Sequence, residues 1–229
     1  MNTSGTELLR LMQVMDSGLP TGAYAFSNGL ETAVQNGTLP SATEIRDYLA
    51  AYMRQVCSAE LPYVKSCYAL PDGFHPVAMK TMLDDLDAFI TTPAMNRASV
   101  RLGRNLLRIL LELYPGGALE AYRTWLSTEP VEPHFVVTYA HGMRSAGFAE
   151  DEALWGAYYQ ALRDQVSALV RLGGMGPMQA SRLQGDLLAN ADADIAAVPA
   201  DYQLALSVSP QIGVLQGRHK DLYTRLFQS

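Results

Sequence analysis

The sequence predicts an all-α fold, a single compact bundle of about nine or ten helices. Apolar residues recur at helical spacing through nearly the whole chain, Pro and Gly clusters fall between those segments, and alternation at period two is confined to Phe135-Val136-Val137. With 229 residues, 48% of them hydrophobic, the chain can fill one large core. No linker, low-complexity stretch or internal repeat interrupts it, so residues 1–229 read as one domain, with the tail from about residue 210 able to move when free.

The first helix is expected from Glu7, where Leu8, Leu11, Met12 and Met15 form a core-facing stripe before Gly18 and Pro20 stop it. A second should run from Ser27, placed as its cap, to Gly37. Ser41 and Glu44 form an S-x-x-E capping box ahead of Ile45, Tyr48, Leu49, Tyr52, Met53 and Val56. That pattern continues past Pro62 to the Pro71-Asp72-Gly73 turn. Met79 to Ile90 reads as helical, and Thr92-Pro93 opens a leucine-rich helix that stops at Pro115-Gly116-Gly117. Further helices are expected over Leu119 to Leu126, Phe135 to Ser145, Glu150 to Leu172 and Met178 to Asn190. After a loop at Pro199, the last runs from Pro210 to Phe227.

Composition narrows the function. A net charge of −6 opposes nucleic acid as the main ligand, because phosphate binding needs a basic face. No apolar run reaches the roughly 20 residues of a membrane span, and Glu7, Arg10 and Asp16 interrupt the N-terminal segment, so neither a signal peptide nor an anchor is expected. Cys57 and Cys67, ten residues apart in a helical segment, suggest reduced thiols and a cytoplasmic location. Charged residues make up 17%, against roughly 25% in an average soluble protein, and all the cations except Lys65, Lys80 and Lys220 are arginine. Few charges and few lysines are what partner surfaces show.

No nucleotide loop, nucleophile elbow, zinc-protease or calcium-loop motif is present. His134 and His141 lie seven apart, about 10.5 Å along a helix axis, too far to share one metal ion. They read as separate surface or capping residues. Arg97, Arg101, Arg104 and Arg108 form a stripe opposite the leucines, either a solvated face or a dock for an acidic partner. Phe148, Trp155, Tyr158 and Tyr159 pack the core or form a dimer face. The segment Leu19 to Glu31 places Tyr24 and Phe26 in a non-helical link; such aromatics either plug the bundle or meet a partner.

This segment carries a resemblance. Asp16 to Glu31 is similar to the D-S-x-x-P-x-G-x-Y/F-x-x-S-x-G-L-E signature of the UreF family of urease accessory proteins. Three further blocks agree in order: Arg97 to Arg104, reading RASVRLGR, the helix Gln165 to Leu172 with its following glycine loop, and His219 with Tyr223 to Ser229. The resemblance implies an all-helical, non-enzymatic homodimer without a cofactor of its own. Such a protein binds the UreD/UreH accessory protein, recruits the GTPase UreG and gates nickel delivery to apo-urease. By matched position it points to Tyr24 and Arg225 as organisers of the surface that receives UreG. Phe26, Arg97, Arg101, Arg104, His219, Tyr223, Leu226 and Phe227 are further partner-binding candidates. Tails of this kind fold on partner binding in some proteins. Two tail charges depart from the pattern: Lys220 stands for the usual Glu and Gln228 for the penultimate Arg. An arginine-finger role for Arg225 on UreG lacks any neighbouring residue that would hold it ready. The alternatives are an all-α enzyme of the TenA type, with Cys57 near Glu60 or Cys67 as nucleophile, and a protein that itself stores nickel.

Overall fold

Helix α8 (Phe135–Ser145) shows why the chain folds as a bundle: every residue from Val136 to Met143 is buried, so all its faces need neighbours. In the computed structural model, which describes residues 5–228, those neighbours are α4 (Leu61–Ala69), α6 (Pro93–Leu113) and α9 (Glu150–Arg171). Gly142 lets Leu110 of α6 lie against the α8 backbone, where an added Cβ would come within 2.3 Å of its Cδ1. The Tyr139 hydroxyl crosses to donate to the Ala153 carbonyl of α9 at 2.8 Å. Met1–Ser4, part of the segment read above as lacking a leader, and Ser229, the end of the tail motif, lie outside the described residues.

The remaining helices wrap this centre. They are α1 (Gly5–Met15), α2 (Leu30–Gln35), α3 (Ala42–Ala59), α5 (Pro76–Phe89), α7 (Gly117–Leu126), α10 (Pro177–Leu188), α11 (Ala191–Ala196) and α12 (Pro210–Arg218). Among the described residues there is no strand, and one hydrophobic cluster runs from Val14 to Phe227. The all-α expectation holds; the short helix α11 and the break between α3 and α4 bring the ten expected helices to twelve among the described residues.

Several local expectations shift. Phe135-Val136-Val137 is the first turn of α8, as the helix expected from Phe135 to Ser145 has it. In α1 only Val14 and Met15 are buried, while Leu8, Leu9 and Met12 are exposed, so the expected core stripe faces outward over most of its length. Helix α2 begins at Leu30 behind Gly29, not at Ser27. Gly29 has φ 93°, and a Cβ there would lie 3.3 Å from the Ile212 carbonyl and the Gln216 amide of α12. Ser41 caps α3 by accepting the Thr43 amide proton at 3.2 Å. The last helix stops at Arg218, followed by one 3-10 turn over His219–Asp221. Beyond it the chain leaves helical geometry and turns back to the start of the bundle.

Candidate functional site

The returning tail meets the loop before α2 at one buried carboxylate. Glu31 lies in the first turn of α2, with Leu30, Thr32 and Ala33 also buried, and is itself fully buried. A carboxylate out of water must fill its acceptor positions with hydrogen bonds. The Leu226 amide donates to Oε1 at 2.6 Å and the Phe227 amide to Oε2 at 3.2 Å. His219 Nε2 donates to Oε2 at 2.7 Å, and Gln35 Nε2 to Oε1 at 3.2 Å. Two oxygens thus take four donors, three of them from the tail. Gln35 also reaches the Thr224 carbonyl at 3.0 Å.

The other matched blocks converge on the same place. The Gln228 amide donates to the Ala25 carbonyl at 2.8 Å, and its side-chain oxygen accepts from Arg101 of α6 at 2.7 Å. Arg171, the last residue of α9, donates to the Tyr24 carbonyl and stacks 4.3 Å from the centre of the Phe227 ring. Gln165, two turns earlier on α9, donates from Nε2 to the Ser27 carbonyl at 3.0 Å. Asn28, whose φ is +51°, is held by its side-chain bond to the Tyr52 hydroxyl at 3.0 Å. Loop, tail, α6 and α9 are therefore joined by hydrogen bonds into one platform built from all four sequence blocks.

The platform divides the expected partner residues. Phe26, His219 and Phe227 are buried and hold the joint together from inside, so as free contacts for a partner they are corrected. Tyr24, Tyr223, Arg225 and Leu226 are exposed, with Tyr223 entirely so. Arg97, Arg101 and Arg104 are exposed on α6, and Arg104 pairs with Glu132. The block RASVRLGR thus has two faces. Its inner face, Ala98, Ser99 and Gly103, packs α6 against the 133–135 segment, where a Cβ on Gly103 would lie 1.8 Å from the Pro133 carbonyl oxygen. Sequence reading passed over Glu31, Gln35 and Arg171 as site residues. The available signal was Glu31 itself, a charge set between Leu30 and Ala33 in a short apolar stretch.

The histidines also differ from expectation. His134 precedes α8 and is fully buried, with Nδ1 3.2 Å from Ser99 Oγ and Nε2 3.1 Å from Asp87 Oδ1. His141 is buried beside Phe74 and Tyr122, and burial chiefly lowers its pKa. Neither is a surface residue; His134 does occupy the N-cap position of α8, without a side-chain cap bond, while His141 lies inside that helix. Among the described residues no group of three or more His, Cys, Asp or Glu gathers as a metal site. No helix of those residues is long and apolar enough to cross a membrane.

Beneath the loop lies a cavity of about 500 Å³, lined among others by Tyr24, Asn28, Tyr52, Glu60, Arg163 and Asp164. Arg163 and Asp164 pair at 2.7 Å, and burial raises the Asp164 pKa against the lowering effect of that arginine. Glu60 keeps accessible surface, but the surrounding walls desolvate it enough to push its pKa up to about 7. Both cysteines are free and buried. Burial first, with nearby Asp194 and Glu60 second, pushes the Cys57 thiol up to about 12, and burial pushes Cys67 to about 12 against the opposing Arg144. A nucleophilic cysteine needs the thiolate near neutral pH, and these environments suppress it.

Comparison with known proteins points the same way. A family model described as UreF matches residues 39–188, the stretch from the cap of α3 to the end of α10. The chain is 30% identical over 230 residues to the urease accessory protein UreF of Paenarthrobacter aurescens, covering 99% of this chain and 100% of that protein. It is 28% identical over 224 residues to UreF of Azoarcus sp., covering 97% and 95%. It is also 28% identical over 218 residues to urease accessory protein F of Oryza sativa subsp. indica, covering 94% and 82%. The loop and tail of the platform lie outside the span of the family model.

Proposed function

Given that this chain belongs to the UreF family, a family of accessory proteins rather than enzymes, we propose that it serves urease maturation as a scaffold. In this reading it binds the UreD/UreH accessory protein, recruits the GTPase UreG and gates the passage of nickel, its cargo, to apo-urease in the cytoplasm. The observation that carries the proposal is the platform itself. Four separated sequence blocks are spent on holding the loop and tail together, and the exposed products of that investment are Tyr24, Tyr223, Arg225 and Leu226. Exposed tyrosine and arginine side chains such as Tyr24, Tyr223 and Arg225 are residue types enriched in binding hot spots. The arginine stripe of α6 borders it through Arg101 and suits an acidic partner.

Self-association belongs to the same proposal. Leu8, Leu9 and Met12 of α1 and Trp155 and Tyr159 of α9 are exposed apolar residues on two helices that pack together, and a second copy would cover them. The raised thiol pKa values weigh against the cysteine-enzyme alternative.

The test is co-purification with UreD/UreH, followed by UreG, a GTP analogue and nickel. The scaffold reading expects a stable complex containing all three proteins, whose formation needs Tyr24. A Tyr24→Ala protein that folds and still assembles the complex would contradict it. Tight stoichiometric nickel binding by the isolated chain in equilibrium dialysis would favour storage instead.

A further inference from the structure

Helix α1 buries too little to hold itself in place. Of its 11 residues only Val14 and Met15 are buried, and a helix shorter than about 12–15 residues is marginal in water on its own. Its C-terminal end is fastened to α9. Gln160 Nε2 donates to the Val14 carbonyl at 3.1 Å, Arg163 donates to the Met15 carbonyl, and Gly156 makes room for Met15, since a Cβ there would lie 2.8 Å from the Met15 sulfur. A single side chain fastens the rest of the helix. Arg10 Nη2 donates to the Ala146 carbonyl at 2.7 Å, and its guanidinium carbon lies 4.9 Å from the centre of the Tyr114 ring and 5.1 Å from that of Phe148. The two rings meet edge to face, 5.9 Å apart at 87°, so one cation rests against both π systems. The Tyr114 hydroxyl is buried with no hydrogen-bond partner among the described residues, which leaves the ring as the part of Tyr114 that the contact uses.

We propose that Arg10 is a positioning residue for self-association: by clamping α1 to the ends of α6 and α8, it sets Leu8, Leu9 and Met12 beside Trp155 and Tyr159 of α9 as one face for a second copy of this chain. The inference rests on the self-association reading above and adds to it what holds the face together. Gly156 and Gln160, the residues that follow Trp155 and Tyr159, touch Met15 and Val14, so the two exposed rings border the seam between α1 and α9. The occupant follows from charge. Helix α1 carries only Glu7 and Arg10 as charged residues, and Arg10 is committed inward to the clamp. The exposed Leu8, Leu9 and Met12 offer nothing to steer a charged partner, whereas an uncharged apolar face is complementary to itself, as an isologous contact requires. Arg10 is spent on its own chain and acts through the residues it places.

The experiment pairs hydrogen exchange of the full-length protein, read at the amides of residues 9–13, with the dimer dissociation constant from sedimentation equilibrium. Arg10→Gln keeps a hydrogen-bond donor but removes the charge. It is expected to speed exchange of those amides at least about tenfold, leave α8 and α9 protected, and raise the dimer dissociation constant at least about tenfold. Arg10→Lys, which keeps a cation against the rings, should recover most of both. Tyr114→Leu should act like Arg10→Gln, while Tyr114→Phe, which loses only the unpartnered hydroxyl, should match the wild type. If Arg10→Gln does not fold, the two Tyr114 variants carry the test. Unchanged α1 exchange in the folded variants overturns the proposal. Released α1 with an unchanged dissociation constant also overturns it, and Leu9→Asp then separates the causes. If Leu9→Asp weakens the dimer while α1 stays protected, the self-association reading stands and only the positioning role of Arg10 fails; if it does not, α1 is not part of the dimer face. A wild-type protein that stays monomeric at every concentration overturns both.

Discussion

The platform at Glu31 and the seam between α6 and α8 are both polar joints in an apolar bundle, and they are built on different plans. At the seam, His134 bonds Ser99 and Asp87, and Ser99 also accepts the Phe135 amide proton at 3.1 Å, tying the start of α8 to α6. Every participant belongs to or borders a long helix. At the platform, Glu31 gathers donors from a terminal strap up to 196 residues away, and the strap carries little else of the core than Phe227. Breaking the first joint disturbs the fold. Breaking the second releases a surface. The block RASVRLGR contributes to both, its Ser99 and Gly103 to the seam and its Arg101 to the platform, so one matched motif packs a helix on one face and holds Gln228 of the tail on the other.

That contrast can be broken by substitution. The largest effect is expected at the seam from Gly103→Val, which forces side-chain atoms into the Pro133 carbonyl oxygen. It should cost about 3 kcal/mol or more in guanidinium unfolding, since the obstacle is backbone and cannot swing aside. Phe227→Ala removes a ring of the kind whose loss from a core costs about 3–5 kcal/mol, yet the loss should be local. Carboxypeptidase digestion of the residues after Asp221 should speed at least about tenfold, while global unfolding moves by less than about 1 kcal/mol. An equal fall in global stability would show that the tail is part of the core. Ser99→Ala should cost about 1–2 kcal/mol, through the lost bond at the start of α8 and the unpaired His134 nitrogen.

The smallest effect sharpens the comparison by its sign. Asp87 at the seam has its pKa lowered, first by the Asn96 hydrogen bond and then by that of His134. It therefore adds stability above its ordinary value of 3.8, and that stability is lost as pH falls through the lowered value. Glu60, in the cavity under the loop, is raised from 4.5 to about 7, so its contribution is fully present below 4.5 and is lost as pH rises through about 7. Glu60→Gln should stabilise the protein above pH 7 and lose that advantage toward pH 4.5, whereas Asp87→Asn should flatten the acid limb below 3.8. Unfolding free energies measured from pH 3 to 8 decide whether the two carboxylates act in opposite senses.

The helical periodicity made the fold legible because most helices bury one stripe, and α3 shows it with Ile45, Leu49, Met53 and Val56 inward. It misled at α1, where Leu8 and Met12 keep the same spacing while facing out, since periodicity records a face and not what covers it. It misled again after Arg218, where Tyr223, Leu226 and Phe227 continue an apolar pattern in a chain that is no longer helical. Motif resemblance pointed to Tyr24 and Arg225, which the structure leaves exposed on the loop and tail. The foundation beneath them was not legible, because the pairing of Glu31 with His219 spans 188 residues and no local spacing encodes it.

The central claim, that loop and tail form one recruiting surface, is tested most directly by the dissociation constant of UreG, with a GTP analogue and nickel, from the complex of this chain with UreD/UreH. Arg225→Ala should raise it at least about tenfold, a loss of one hot-spot contact, with unfolding and self-association unchanged. A dissociation constant equal to that of the wild type, in a variant that folds and binds UreD/UreH normally, would contradict the account.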